Sequence, residues 1–106
     1  MAFVSVLQFR NNRAESFISI RKSSHGSGVA YISSSISLQH PSADVEVDIS
    51  QRKIRVICGD GFPLGINQSG NLGLPSCVVS SILEDEEKSR RIKLTKQDDG
   101  WFYGEF

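Results

Sequence analysis

In this sequence of 106 residues, two histidines and two cysteines have the widest chemical reach, as general bases, nucleophiles or metal ligands. Nucleophilic catalysis needs a serine or cysteine beside a histidine held in one orientation. His25 and His40 stand in "SSHGSG" and "SLQHPSAD", where serine neighbours are expected from the local composition alone. Neither a nucleophile elbow, nor a glycine loop leading into a helix to cradle phosphate, nor an H-E-x-x-H helix occurs. A zinc site drawn from His25, His40, Cys58 and Cys77 would contain no pair at the short spacing that ligand pairs adopt. No catalytic residue, metal site or cofactor is assigned, and the sequence is read as that of a binding protein.

Charged and aromatic side chains are the remaining candidates. Formal net charge is zero, but residues 1–40 hold four Lys and Arg against one acid, and residues 41–106 hold eight against eleven. Arg10, Arg13, Arg21 and Lys22 are therefore candidate phosphate contacts, with Arg52, Lys53 and Arg55 as additions from a neighbouring hairpin. The alternative is a protein partner. Glu84, Asp85, Glu86 and Glu87 would supply a charged rim, and Trp101 and Tyr103 in "GWFYGEF" the aromatic anchors enriched at hot spots. The acidic run follows a helix-like segment, where the helix dipole disfavours acids, so it reads as a loop facing solvent or a partner.

These residues must be positioned by a small β-rich framework. "FVSVLQF" and "SFISIRK" alternate as strands, "SSHGSG" is a turn, and "VAYIS" is β-prone. A short helix is expected within "SSSISLQHPSAD". "VEVDISQRKIRVI" is a hairpin that sets Glu46 and Asp48 against Lys53 and Arg55. "PLGIN", "QSGN" and "LGL" give a strand, a turn and a strand ending at Pro75, which suits the first turn of the helix "SCVVSSILE". "RRIKLTKQDDGWFYGEF" closes as a hairpin, Trp101 and Tyr103 facing away from Phe102. Cys58 and Cys77 each sit among apolar neighbours and are expected to be buried free thiols.

The order strand, glycine turn, strand, short helix, hairpin thus occurs twice, over residues 16–58 and 63–106, with residues 1–15 as an N-terminal strand and turn. Ile32 matches Leu74, Ser33 matches Pro75, Ile36 matches Val78, and Val45 with Val47 matches Ile92 with Leu94. The expected fold is mainly β with one or two short helices: a single domain forming a pseudo-two-fold small β-barrel. Leu74, Val78, Ile82, Ile92, Leu94, Ile18, Ile20, Ile32, Val45, Val47, Ile54 and Val56 are expected to share its core.

The pattern "INQSGNLGLPSCVVSSIL…RRIKLTKQDDGWF" resembles the AbrB/SpoVT swapped-hairpin unit, in which a strand ending in Ile or Leu and then Pro leads into a short helix and a final hairpin. Members of that family pair two such units into one barrel, so two units in one chain would resemble an intramolecular pseudo-dimer. The resemblance implies a small DNA-binding transcriptional regulator with duplex DNA as partner. The family's glycine turn usually carries a basic residue, whereas this chain has "QSGN" and "SSHGSG". The alternative reading is an inhibitor or adaptor of the type that phages and mobile elements carry. A second copy of the chain is a further candidate partner. With 39% hydrophobic and 23% charged residues the chain lies far from the disordered regime. No apolar run nears the roughly 18 residues needed to span a bilayer, and the expectation is a cytoplasmic protein without a membrane partner.

Overall fold

In "FISIRK", Ile18 and Ile20 are fully buried and Phe17, Ser19 and Arg21 point the other way, so strand β1 (Phe17–Lys22) lays one face on a core and leaves one outside. The structure is a computed structural model that describes residues 15–23, 27–37, 40–67 and 69–106. The expected strand over residues 3–9, together with Arg10, Arg13 and His25, lies outside the described residues.

From β1 the chain returns antiparallel as β2 (Gly28–Ile32), with Ile18 opposite Ile32 and Ile20 opposite Ala30. Helix α1 (Ser34–Ser37) leads to the hairpin of β3 (Ser42–Asp48) and β4 (Lys53–Gly59). Its register sets Glu46 against Arg55 and Asp48 against Lys53, as the alternating charges require. The second half follows with β5 (Leu64–Gly65), β6 (Asn71–Leu74), α2 (Ser76–Ile82), β7 (Ser89–Lys93), β8 (Thr95–Lys96) and β9 (Phe102–Glu105). All pairings are antiparallel and build a four-stranded sheet, β6-β2-β1-β7, and a five-stranded sheet, β5-β3-β4-β9-β8. The fold is mainly β with two short helices.

Strands expected at matching places in the two halves meet, β2 with β6 and β4 with β9, whereas β1 and β5 lie in different sheets. The two helices also begin alike. The N–H groups of Ile36 and Ser37 donate to the Ser33 carbonyl, and those of Val78 and Val79 donate to the Pro75 carbonyl. Pro75 therefore occupies the cap position, one residue before the helix rather than within its first turn. Gly70 and Gly28 are structurally required. Gly70 has φ +84°, and a Cβ there would stand 2.9 Å from the Ile32 oxygen. A Cβ on Gly28 would meet Val79 Cγ2 at 2.0 Å, because α2 packs directly on the β2 backbone.

Among the described residues the strands do not close into the expected barrel. β5 has only two residues, follows Pro63, and pairs with β3 but not with β6. A proline-led strand of that length offers too few N–H groups to bridge the gap. The inner faces of both sheets and both helices nevertheless fill one core, which includes Ile18, Ile20, Ile32, Ile54, Val56, Leu72, Val79, Ile82, Ile92 and Leu94. Val45, Val47 and Val78 pack against that core but are only partly buried. On α2 the inward valine is Val79, one position on from the expected Val78, because the helix starts after Pro75 and its buried stripe runs through Val79 and Ile82. Cys77 is exposed and not buried, since it lies in the first turn of α2 on the side away from the sheets. Cys58, near the end of β4, is partly buried, and burial pushes its thiol up to about 11.

Candidate nucleic-acid interface

The outer face of the five-stranded sheet carries most of the charges that the sequence singles out. Arg55 on β4 donates from Nε to Glu46 Oε1 at 2.6 Å on β3 and from Nη1 to the Tyr103 hydroxyl at 3.1 Å on β9. Its guanidinium lies 4.2 Å from the centre of the Trp101 ring and 5.9 Å from that of Tyr103. Tyr103 in turn donates to Asp99 Oδ2 at 2.5 Å. The Tyr103 bond first, and the Glu46 bond second, hold the Arg55 guanidinium above its ordinary value. Tyr103 likewise holds the Asp99 carboxyl below the usual carboxylate range. This ladder ties up Arg55, Trp101 and Tyr103 with one another.

Arg52 is similarly engaged. Arg52, at the β3–β4 turn with φ 56°, donates from Nε to the Phe106 main-chain oxygen at 2.8 Å, and its guanidinium lies 5.3 Å from the centre of the Phe106 ring. Lys53 stands between Asp48 and Glu105 in the ladder. An open groove of about 800 Å³ along β8 and β9 mixes Lys53 and Lys93 with Asp99 and Glu105. Arg52, Lys53 and Arg55 thus lie on or beside a face of balanced charge.

Elsewhere the acidic loop meets the end of β1. Glu87 accepts two hydrogen bonds from Arg90, at 2.9 and 2.6 Å, which hold its carboxyl below the usual range, with a smaller contribution from the Lys22 charge. The Lys22 N–H donates to the Lys88 carbonyl at 3.3 Å. Glu84, Asp85 and Glu86 are exposed beside α2 and border a second groove with Arg52. Lys22 and the acidic run, far apart in sequence, are therefore neighbours.

The outer face of the four-stranded sheet is different. Strand alternation and register place Phe17, Ser19 and Arg21 from β1, Val29 and Tyr31 from β2, Ser89, Arg91 and Lys93 from β7, and Asn71 and Gly73 from β6 on it together. Three cations lie here with no acid among the described residues of these strands; the nearest acid along β1 is Glu15, just before the strand begins. Arg21, Arg91 and Lys93 are exposed, and none forms an ion pair among the described residues, where the ion pairs are Arg55–Glu46 and Arg90–Glu87. The Arg91 guanidinium lies 4.0 Å from the centre of the Phe17 ring, whose centroid is 5.8 Å from that of Tyr31. A guanidinium used through its face keeps its N–H edge free for an anion.

Of the sequence candidates this face includes Arg21 alone. Phe17, Tyr31, Arg91 and Lys93 are not among the sequence candidates, because "RRIKLTKQDDGWFYGEF" reads as one closing hairpin, whereas β7 pairs with β1 and only β8 pairs with β9. No group of three or more His, Cys, Asp or Glu that could hold a metal occurs among the described residues, and no helix among them is long and apolar enough to cross a membrane. Comparison of the chain with protein-family models, curated proteins and solved structures gives no match.

Proposed function

We propose that this protein acts by binding nucleic acid, without catalysis, through the outer face of its four-stranded sheet. The observation that carries this reading is the placement of Arg21, Arg91 and Lys93 on one face whose strands hold no acid among the described residues, although Lys93 also borders the groove with Asp99 and Glu105, while Arg52, Arg55 and Arg90 are engaged within the molecule. Unpaired cations bound to phosphate release counterions, a gain unavailable to cations already neutralised. The matched strand and helix order of the two halves keeps the role implied by the AbrB/SpoVT resemblance, regulation of gene expression, as the biological setting of this binding.

A protein-directed inhibitor using Trp101, Tyr103 and the acidic loop is less favoured, since Arg55 already covers both aromatic rings and Glu87 is held by Arg90. The test is a titration of labelled nucleic acid over a range of salt concentrations. Binding should weaken with salt, with a slope of about −2 to −3 for three phosphate contacts. Arg91→Ala and Lys93→Ala should each reduce that slope by just under one unit, whereas Lys53→Ala should leave it unchanged. Absence of salt-dependent binding to any single-stranded or duplex probe would refute the proposal, most directly if a protein partner sensitive to Glu84, Asp85 and Glu86 were found instead.

A further inference from the structure

We infer that the ligand of this face is single-stranded nucleic acid, its bases stacked on the sheet and its phosphates carried along β7; the inference rests on the nucleic-acid reading above. The first argument is the distribution of side chains across the sheet. The edge strand β7 supplies Arg91 and Lys93, the two central strands supply Phe17 and Tyr31, and the other edge, β6, offers only Asn71 and Gly73. A backbone following β7 would leave its bases directed inward across the aromatic rings, over an edge with little side-chain bulk to obstruct them. Arg91 and Lys93, two residues apart on one strand face, are spaced roughly 7 Å along it.

The second argument is width. A sheet of four strands spans three interstrand spacings, roughly 14 Å before side chains are added. The major groove of duplex DNA is about 12 Å wide and the minor groove about 6 Å. A helix or a two-stranded ribbon can enter, but this face cannot, so in duplex DNA the central aromatics would have no base to contact. Unpaired bases can lie flat against such a surface.

The third argument is the state of the aromatic side chains. Phe17 and Tyr31 are only partly buried and tilted by 44° to each other, so neither ring is stacked face to face on the other. The Arg91 guanidinium extends the same platform as a planar surface that stacks bases while its N–H edge reaches phosphate. Their placement on the outer face is of no use to the core. It suits a ligand with flat, weakly polar surfaces and regularly spaced negative charge.

The experiment compares labelled single-stranded oligothymidylate, oligouridylate and oligoadenylate of about 12 nucleotides with a duplex of equal length, at matched salt. Tighter binding of either the deoxyribose or the ribose single strands than of the duplex supports the inference. Phe17→Leu and Tyr31→Leu should each weaken single-strand binding about 5- to 100-fold while leaving the weaker duplex binding unchanged. Arg91→Lys, an exposed substitution that spares the fold, should keep the salt slope but lower single-strand affinity. A single strand containing 2-aminopurine should lose fluorescence on binding wild type and retain it on binding Phe17→Leu, a signature that a purely structural role for Phe17 would not produce. Equal or tighter duplex binding, with no effect of either leucine variant and no change in 2-aminopurine emission, would overturn the single-strand inference and leave the nucleic-acid reading standing. Absence of binding to every probe would overturn both.

Discussion

Replacing Ile92 with alanine tests whether β7, which carries Arg91 and Lys93, is held by the core as described. Ile92 is 3% exposed, lies opposite the fully buried Ile18, and packs where the Gly104 backbone passes so closely that an added Cβ would stand 2.7 Å from Ile92 Cγ2. The substitution removes three carbon atoms, a loss of about 2.4 kcal/mol at about 0.8 kcal/mol per buried methylene. Ile18 is pinned between β2 and β7, and Gly104 has no side chain to swing inward, so the space cannot readily refill and a cavity cost is added. The expected destabilisation is about 3 to 4 kcal/mol, within the range found for such truncations. It should appear as a fall of roughly 12 to 20 °C in Tm. Ile92→Val should cost only about 1 kcal/mol. Ile49, the exposed large hydrophobic at 54%, provides the control, and Ile49→Ala should change stability by about 0.5 kcal/mol at most. Urea unfolding followed by circular dichroism measures all three, and a common slope with denaturant would show that only the native state has changed. If Ile92→Ala unfolded at the same midpoint as Ile49→Ala, the placement of β7 would be wrong, and with it the cationic edge of the sheet.

Two further outcomes can be checked with simple reagents. In the native protein Cys77 should react quickly with a thiol reagent, while Cys58, partly buried with its thiol pushed up to about 11, should react at least tenfold more slowly; equal rates in separate single-cysteine variants would contradict the placement of α2. Stability should also fall in acid. Glu87, Asp99 and Asp48 are held below their ordinary values, chiefly by bonds to Arg90, Tyr103 and Ser50 respectively. Their contribution is complete above the unfolded carboxylate values near 4 and is lost as pH falls through the lower folded values. The denaturation midpoint should therefore stay flat from neutral pH to about 5 and drop below about 4, less steeply in Glu87→Gln; an equal drop in that variant would show that the Arg90 pair contributes nothing.

Much of the framework is legible in the local pattern. The alternation in "FISIRK", the opposed charges of "VEVDISQRKIRV" and the turn at "DDG" locate strands because side chains on a strand alternate with a period of two, whatever the rest of the chain does. The entry to α2 after Pro75 is equally local, and Ser33 performs the same task before α1 without sharing that residue type. Elements whose outcome depends on a neighbour are harder to read. Val78 and Val79 are adjacent apolar residues, and only the packing of α2 against Gly28 selects Val79 as the inward one. Cys77 stands beside those valines in sequence but on the exposed side of the helix.

The sequence by itself determined a mainly β chain with one or two short helices, the turns at "SQRK" and "DDG", and the pairing of Glu46 and Asp48 with Arg55 and Lys53. Those outcomes follow from contacts within a few residues or across one hairpin. Tertiary structure decided where the charge is free. Sequence order divides the chain into a basic first part and an acidic remainder, but folding brings Lys22 beside Glu87 and engages Arg55 with Glu46, while Arg21, Arg91 and Lys93 are gathered on one sheet face with Phe17 and Tyr31. Pairing of β1 with β7 joins residues 68 to 76 positions apart. Electrostatic interaction depends on separation in space, so net charge along the chain cannot reveal which cations remain available to a partner.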